Sequence, residues 1–224
     1  MNGARIAVVT GGDEDVGVRI CRELSLAGVQ VVLTSSDEGK GAQSVSTLDN
    51  EGHSILYAQL DPYDIKSIGR AAGFVTGALQ RVDILVNAYP PGYGSAWDIS
   101  STNPADELLS LEPAGVLQTT RRFAQLMHAN KYGRVVNISS SDVLNEAASS
   151  VKQGHIVYKA INEATRVLAC ENNDQQMDIK VNAVCLRSGR RHIDKDVETV
   201  AQLALLPAEG PTGILFLAGE SVGE

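Results

Sequence analysis

Cysteine is scarce and unpaired in this chain of 224 residues: Cys21, Cys170 and Cys185 are all it has. An odd number without paired spacing argues against a disulfide framework, and each lies in an apolar periodic segment that suggests a buried, reduced thiol. Long apolar runs are lacking too, since none reaches the ~18 residues of a membrane span. The chain enters a strand almost at once, which leaves no room for a signal peptide and makes a cytoplasmic protein the expectation. Positive charge is in deficit, with 19 Lys and Arg against 27 Asp and Glu, a formal net charge of −8 and a pI near 5.0. That balance argues against nucleic acid or an anionic membrane as partner and says little about the substrate, expected to be a small molecule. Repeats and low-complexity tracts are missing as well, and no metal site is expected.

What is present is alternation. Apolar runs at 6–9, 29–33, 54–60, 82–86, 133–139, 179–185 and 213–217 are predicted strands. Between them, helices are predicted from about 13 to 27 and over 39–51, 64–79, 104–130, 158–171 and 197–206. Pro113 interrupts the long fourth helix and should kink it, because proline has no N–H for the carbonyl of Leu109. Strands alternating with helices imply an α/β fold in which about seven parallel strands form one doubly wound sheet with helices on both faces, in one domain over 1–224.

The first strand runs into Thr10-Gly11-Gly12 and then a helix with Val16, Ile20 and Leu24 on one face. A strand, a glycine turn and a helix open a dinucleotide-binding unit, in which amides at the helix start and the helix dipole hold a pyrophosphate. Yet this turn carries Asp13, Glu14 and Asp15. Acidic side chains at a helix start complement its dipole, and as such they imply that no phosphate needs the same amides.

Six segments in order make the chain resemble the short-chain dehydrogenase/reductase family from end to end, and carbonyl-reductase-type members most. They are Thr10-Gly11 with Gly17, Asp61, Asp83-Ile-Leu-Val-Asn87, Gly133-Arg-Val-Val-Asn-Ile-Ser-Ser140, Tyr158 with the turn after it, and the closing strands Val181–Cys185 and Gly210–Phe216. The resemblance implies a Rossmann-type fold and a homodimer or homotetramer built on the fourth and fifth helices, through Leu117, Ala124 and Leu126 with Ile161, Ala164 and Leu168. It makes Gly11, Gly17, Asp61 and Asn87 cofactor-binding residues if a dinucleotide binds. It makes Ser140 the holder of the substrate oxygen and Tyr158 its proton donor.

Several positions depart from that pattern. Asp15 stands at the middle glycine, where a carboxylate some 4–5 Å from a phosphate costs roughly 3–4 kcal/mol at an effective dielectric near 20. Ser35 and Ser36 stand where NADP-preferring members carry a basic side chain. Asn162 replaces the lysine one turn beyond Tyr158, Glu112 replaces the relay asparagine, Pro90 replaces a glycine, and Leu186-Arg187 replaces a Pro-Gly pair. All of these touch the cofactor or the relay that serves it, so the expected cofactor is none. The leading expectation is a non-redox cyclase-, lyase- or isomerase-type enzyme working on a carbonyl- or phenol-bearing molecule. Its polar cluster would be Glu112, Tyr158, Ser140 and Asn162, with Tyr89, Tyr93, Trp97 and His155 as walls of the substrate pocket. The alternative is an NADP(H)-dependent carbonyl reductase with atypical motifs, and a third reading is an inactive binding partner.

Overall fold

Ile6 to Thr10 are five successive buried residues, and a strand buried on both faces needs a layer of helices on each side. The computed structural model provides both layers. It describes residues 4–88, 104–140, 153–173, 177–187 and 192–219, apart from the side chains of 104–114, 140, 153–159 and 172–173. In chain order the elements are β1 (Ile6–Thr10), α1 (Asp15–Leu26), β2 (Gln30–Ser35), α2 (Glu38–Asn50), β3 (Ile55–Gln59), α3 (Ile65–Leu79) and β4 (Ile84–Asn87). There follow α4 (Pro104–Asn130), β5 (Tyr132–Ser140), α5 (Gln153–Asn173), β6 (Asp178–Leu186), α6 (Ile193–Ala204) and β7 (Leu215–Leu217). The seven strands form one parallel sheet in the order β3-β2-β1-β4-β5-β6-β7. The order reverses at β1, the switch point beside which open α/β sheets bind ligands at their carboxyl edge.

Side-chain alternation along the strands makes two cores. Ala7 and Val9 join Val16, Ile20 and Leu24 of α1 and Val197, Val200 and Leu203 of α6 on one face. Ile6 and Val8 join Ile68, Ala72 and Val75 of α3, Phe123 and Met127 of α4 and Leu168 of α5 on the other. At the amino edge, Asp83 accepts from the Ile6 amide at 2.8 Å and from Arg81. There the buried Arg134 stacks on Tyr132, 4.3 Å from its ring centre, and donates to the Leu206 carbonyl at 2.7 Å.

Three expectations change. Cys21 and Cys185 are buried, but Cys170 is exposed, because α5 turns Leu168 and Ala169 to the core and the next residue outward. α5 starts at Gln153, so Tyr158 lies in its second turn and His155 on a helix. Of the apolar positions expected at a subunit interface, five serve the chain's own core: Ala124, Ile161 and Leu168 are buried, and Leu117 and Leu126 pack against it, while Ala164 is half-buried. α4 runs continuously from Pro104 to Asn130 through Pro113. Among the described residues no helix is long and apolar enough to cross a membrane.

Candidate active site at the carboxyl edge of the sheet

The turn after β1 is built by its glycines. Gly11 has φ of 59°, a left-handed conformation that suits glycine. A Cβ on Gly17 would lie 2.1 Å from the Gly11 carbonyl oxygen, so the first turn of α1 sits directly against the loop. The Gly12 amide donates to the Thr34 carbonyl at 2.8 Å and ties the turn to the end of β2. Glu14 is the N-cap of α1, and its side chain makes no capping bond. By contrast Asp37 caps α2 at the Lys40 amide and Asp64 caps α3 at the Lys66 amide. The start of α1 thus keeps amides that an anion can use.

Asp15 differs from its sequence reading. Its carboxylate accepts from Arg19 Nε at 3.1 Å, and Arg19 also reaches Asp194 at 2.9 Å. The charge set against a phosphate is therefore one end of an ion pair on the half-exposed face of α1, not a lone carboxylate. At the adenosine end, Ser35 is buried and its hydroxyl is occupied by the Asp37 backbone, while Ser36 is exposed. Burial, and after it the carboxylates of Glu38, Asp13 and Asp37, push the Tyr57 phenol upward. That phenol oxygen is buried without a hydrogen-bond partner among the described residues. Asp61 accepts from the Tyr63 amide at 2.9 Å through one carboxylate oxygen.

Asn87 was expected at the cofactor, but its side chain is 2% exposed and turned inward. Its Nδ2 donates to Thr120 Oγ1 at 2.9 Å and to Asn137 Oδ1 at 2.7 Å, and its Oδ1 accepts from Thr10 at 3.5 Å. The physical reason is satisfaction: a buried amide without partners costs ~1–3 kcal/mol, and here each of its groups has one. Asn137 passes the chain on to Thr165, which the sequence reading missed. The available signal was an asparagine inside the apolar run of β5.

Ser140 ends β5, Glu112 lies on α4, and Tyr158 and His155 lie on the first turns of α5, with side chains outside the described residues. Tyr89, Tyr93 and Trp97 lie wholly outside them. Asn162 is described: half-buried, with its Oδ1 enclosed and accepting from none of the described residues. A buried acceptor without a donor is rare, and a ribose hydroxyl is a donor of the right kind. Two residues past β5's register partner Cys185, Arg187 closes the end of β6. Its Nε donates to the buried Asp196 of α6 at 2.8 Å, and its guanidinium fills the space beside Gly219. Burial raises the thiols of Cys21 and Cys185, so neither is a ready nucleophile.

The family model of the short chain dehydrogenases matches residues 5–190. The chain belongs to that family. It is 30% identical to (+)-neomenthol dehydrogenase of Arabidopsis thaliana over 95% of both chains. That alignment covers 286 positions, more than the 224 residues here, so the relative carries insertions that this chain lacks. It is 27% identical to salutaridine reductase of Papaver bracteatum, over 96% of this chain and 95% of that one. Carbonyl reductase [NADPH] 1 of Macaca fascicularis is 33% identical over 62% of this chain and 50% of its own. Among solved structures, an NADPH-dependent reductase of bacilysin biosynthesis, YwfH, superposes with a TM-score of 0.81 at 18% identity, covering 98% and 100% of the two chains.

These relatives overturn two expectations. The three sequence relatives are named as reductases and a dehydrogenase, one of the three for NADPH, which removes the non-redox reading and the expectation of no cofactor. One of the departures behind those expectations, Asp15 read as an unpaired charge, is in the structure an ion pair with Arg19. The glycine cradle, the open amides of α1 and the orphaned Asn162 oxygen all suit a dinucleotide.

Proposed function

We propose that this protein is a nicotinamide-dependent carbonyl reductase, with NADP(H) as its cofactor and a small ketone or aldehyde as its substrate. The observation that carries the reading is the close seat of Gly17 on Gly11 beside an uncapped helix start whose acidic residue is already paired. Relatives named as a neomenthol dehydrogenase and a salutaridine reductase, aligned over nearly the whole chain, support it.

When bound, the cofactor supplies the hydride, and the product alcohol needs one proton besides. In this reading Tyr158 donates that proton to the carbonyl oxygen and Ser140 holds the oxygen by a hydrogen bond. The α1 amides and the dipole behind them hold the pyrophosphate. Asn162 accepts from a ribose hydroxyl through Oδ1, where a lysine would instead donate. Val167 on α5, Ile214 and Leu215, the first residue of β7, are exposed apolar side chains that a homodimer would cover.

Titration with NADPH and NADH, followed by cofactor fluorescence and melting temperature, tests the reading together with turnover of a panel of ketones that includes menthone. A hundredfold excess over Kd stabilises by ~2.7 kcal/mol. At ~2–4 °C per kcal/mol for a chain of this size, that is a rise of about 5–10 °C. No rise with either nucleotide at millimolar concentration, and no reduction of any ketone, would overturn it.

A further inference from the structure

One row of polar side chains behind the carboxyl edge takes no part in the chemistry above. Thr10, Asn87 and Asn137 are register partners on the adjacent strands β1, β4 and β5. Their hydrogen bonds run one way: Thr10 Oγ1 donates to Asn87 Oδ1, and Asn87 Nδ2 to Asn137 Oδ1 at 2.7 Å. Asn137 Nδ2 then donates to Thr165 Oγ1 at 2.8 Å, and Thr165 Oγ1 to the Ile161 carbonyl at 2.9 Å. None of these four side-chain-bearing residues is more than 2% exposed. Apolar residues of the same shape could fill such a site without loss of stability. What they would lack is direction, since hydrogen bonds fix distance and angle while apolar surfaces slide.

The row joins the strand of Ser140 to the helix of Tyr158. β5 and β6 are parallel, so α5 between them runs opposite to β5. Ser140 lies three residues beyond Asn137, about 10 Å up the strand. Tyr158 lies seven residues before Thr165, about 10.5 Å up the helix. Measured from the Asn137–Thr165 bond, the two residues therefore stand at the same height. The chain of bonds ends on the carbonyl of the peptide unit whose nitrogen is that of Asn162.

We propose that Asn137 and Thr165 are positioning residues: their hydrogen bond sets the height of Tyr158 against Ser140 and seats Asn162 toward the cofactor. The inference rests on the reductase reading. Its test is Thr165→Val, which keeps the shape and removes the hydroxyl, compared with Thr165→Ser, which restores it. Thr165→Ala loses the same hydroxyl from a better helix former and serves if valine is not accommodated. We expect the variants without a hydroxyl to fold, with a melting temperature about 2–12 °C below the parent for the unpaired Asn137 amide. Their kcat should fall by about 10–100-fold with KM changed by less than about threefold, as for a geometric fault in proton transfer. Their Kd for NADPH should rise severalfold, and Asn162→Ala should then weaken NADPH less than it does in the parent, since coupled sites are not additive. Serine should recover both kcat and Kd.

A hydroxyl-free variant with kcat and Kd within about twofold of the parent would overturn the proposal, as would a serine variant as impaired as valine. If the parent itself neither binds NADPH nor reduces a ketone, the reductase reading fails and the positioning role falls with it. Loss in the variants alone cannot be produced by that failure.

Discussion

Replacing Asp15 by glycine should tighten NADPH binding, and removing Arg19 should loosen it. A phosphate held by the α1 amides would sit roughly 5 Å from the Asp15 carboxylate, and Arg19, 3.1 Å further on, would sit roughly 8 Å away. At an effective dielectric near 20, the carboxylate repels a unit phosphate charge by about 3.3 kcal/mol and the guanidinium returns about 2.1. The pair thus costs about 1.2 kcal/mol. Both side chains are more than a third exposed, at 44% and 37%, which argues for a dielectric nearer 40 and about half of each value. Asp15→Gly with Arg19→Gln removes the pair, so it should tighten binding by about 3–8-fold, while Arg19→Gln alone should weaken it by about 5–30-fold. Asp15→Gly alone leaves the guanidinium in place, still held by Asp194, and should gain more than the double change. Cofactor fluorescence titration at low salt reads all three, and 1 M salt should collapse the differences because the Debye length falls to ~3 Å. If Arg19→Gln binds NADPH as the parent does while Asp15→Gly gains a hundredfold, the ion pair does not shield the site and the electrostatic account is wrong.

Tyr158→Phe should lower ketone turnover by about 10²–10⁴-fold while leaving NADPH affinity nearly unchanged, and Ser140→Ala should cost less, since it removes one hydrogen bond and not the proton. Steady-state kinetics separate the two, and equal effects would assign the proton elsewhere. Gly17→Ala must move the turn, because its methyl would lie 2.1 Å from a backbone oxygen. A loss of ~1–3 kcal/mol and of cofactor binding is expected, checked by thermal melting and titration; a binding-competent protein with an unchanged melting temperature would show that the turn yields freely. Ser36→Arg should favour NADPH over NADH by about tenfold relative to the parent, because the exposed Ser36 leaves the 2′-phosphate without a cation; an unchanged ratio of the two dissociation constants would place the adenosine end elsewhere. Arg22 holds Glu51 by two hydrogen bonds at 2.7 and 2.9 Å and lowers its carboxyl pKa. A lowered folded-state pKa stabilises above the unfolded value near 4.5 and is lost as pH falls through the folded one. Glu51→Gln should therefore lower the melting temperature at pH 7 and not in acid below that window; an equal loss at both would mean packing, not charge.

The order of strands and helices was legible because parallel strands buried on both faces are continuous apolar runs, and the helices between them keep one apolar stripe. Residues 6–9 and 82–86 needed nothing beyond their own composition. Asp37 and Asp64 cap α2 and α3 through amides three and two residues on, contacts that are local in the chain. The glycine turn was legible for the same reason, since the approach of Gly17 to Gly11 is a contact six residues apart. Tertiary structure decided where charges and amides ended. Arg19 has a local partner in Asp15 but a distant one in Asp194, 175 residues away, and only the packing of α1 beside α6 brings the second within 2.9 Å. The apolar stripes of α4 and α5 fit a subunit interface as well as the chain's own sheet, and a stripe carries no mark of which surface will cover it. Asn87 could have faced a cofactor or the interior. The sheet register placed it level with Thr10 and Asn137, where a buried amide has to spend its bonds on its neighbours. Register is set by strands far apart in the chain, so the row that ties Ser140's strand to Tyr158's helix exists only once the sheet has formed.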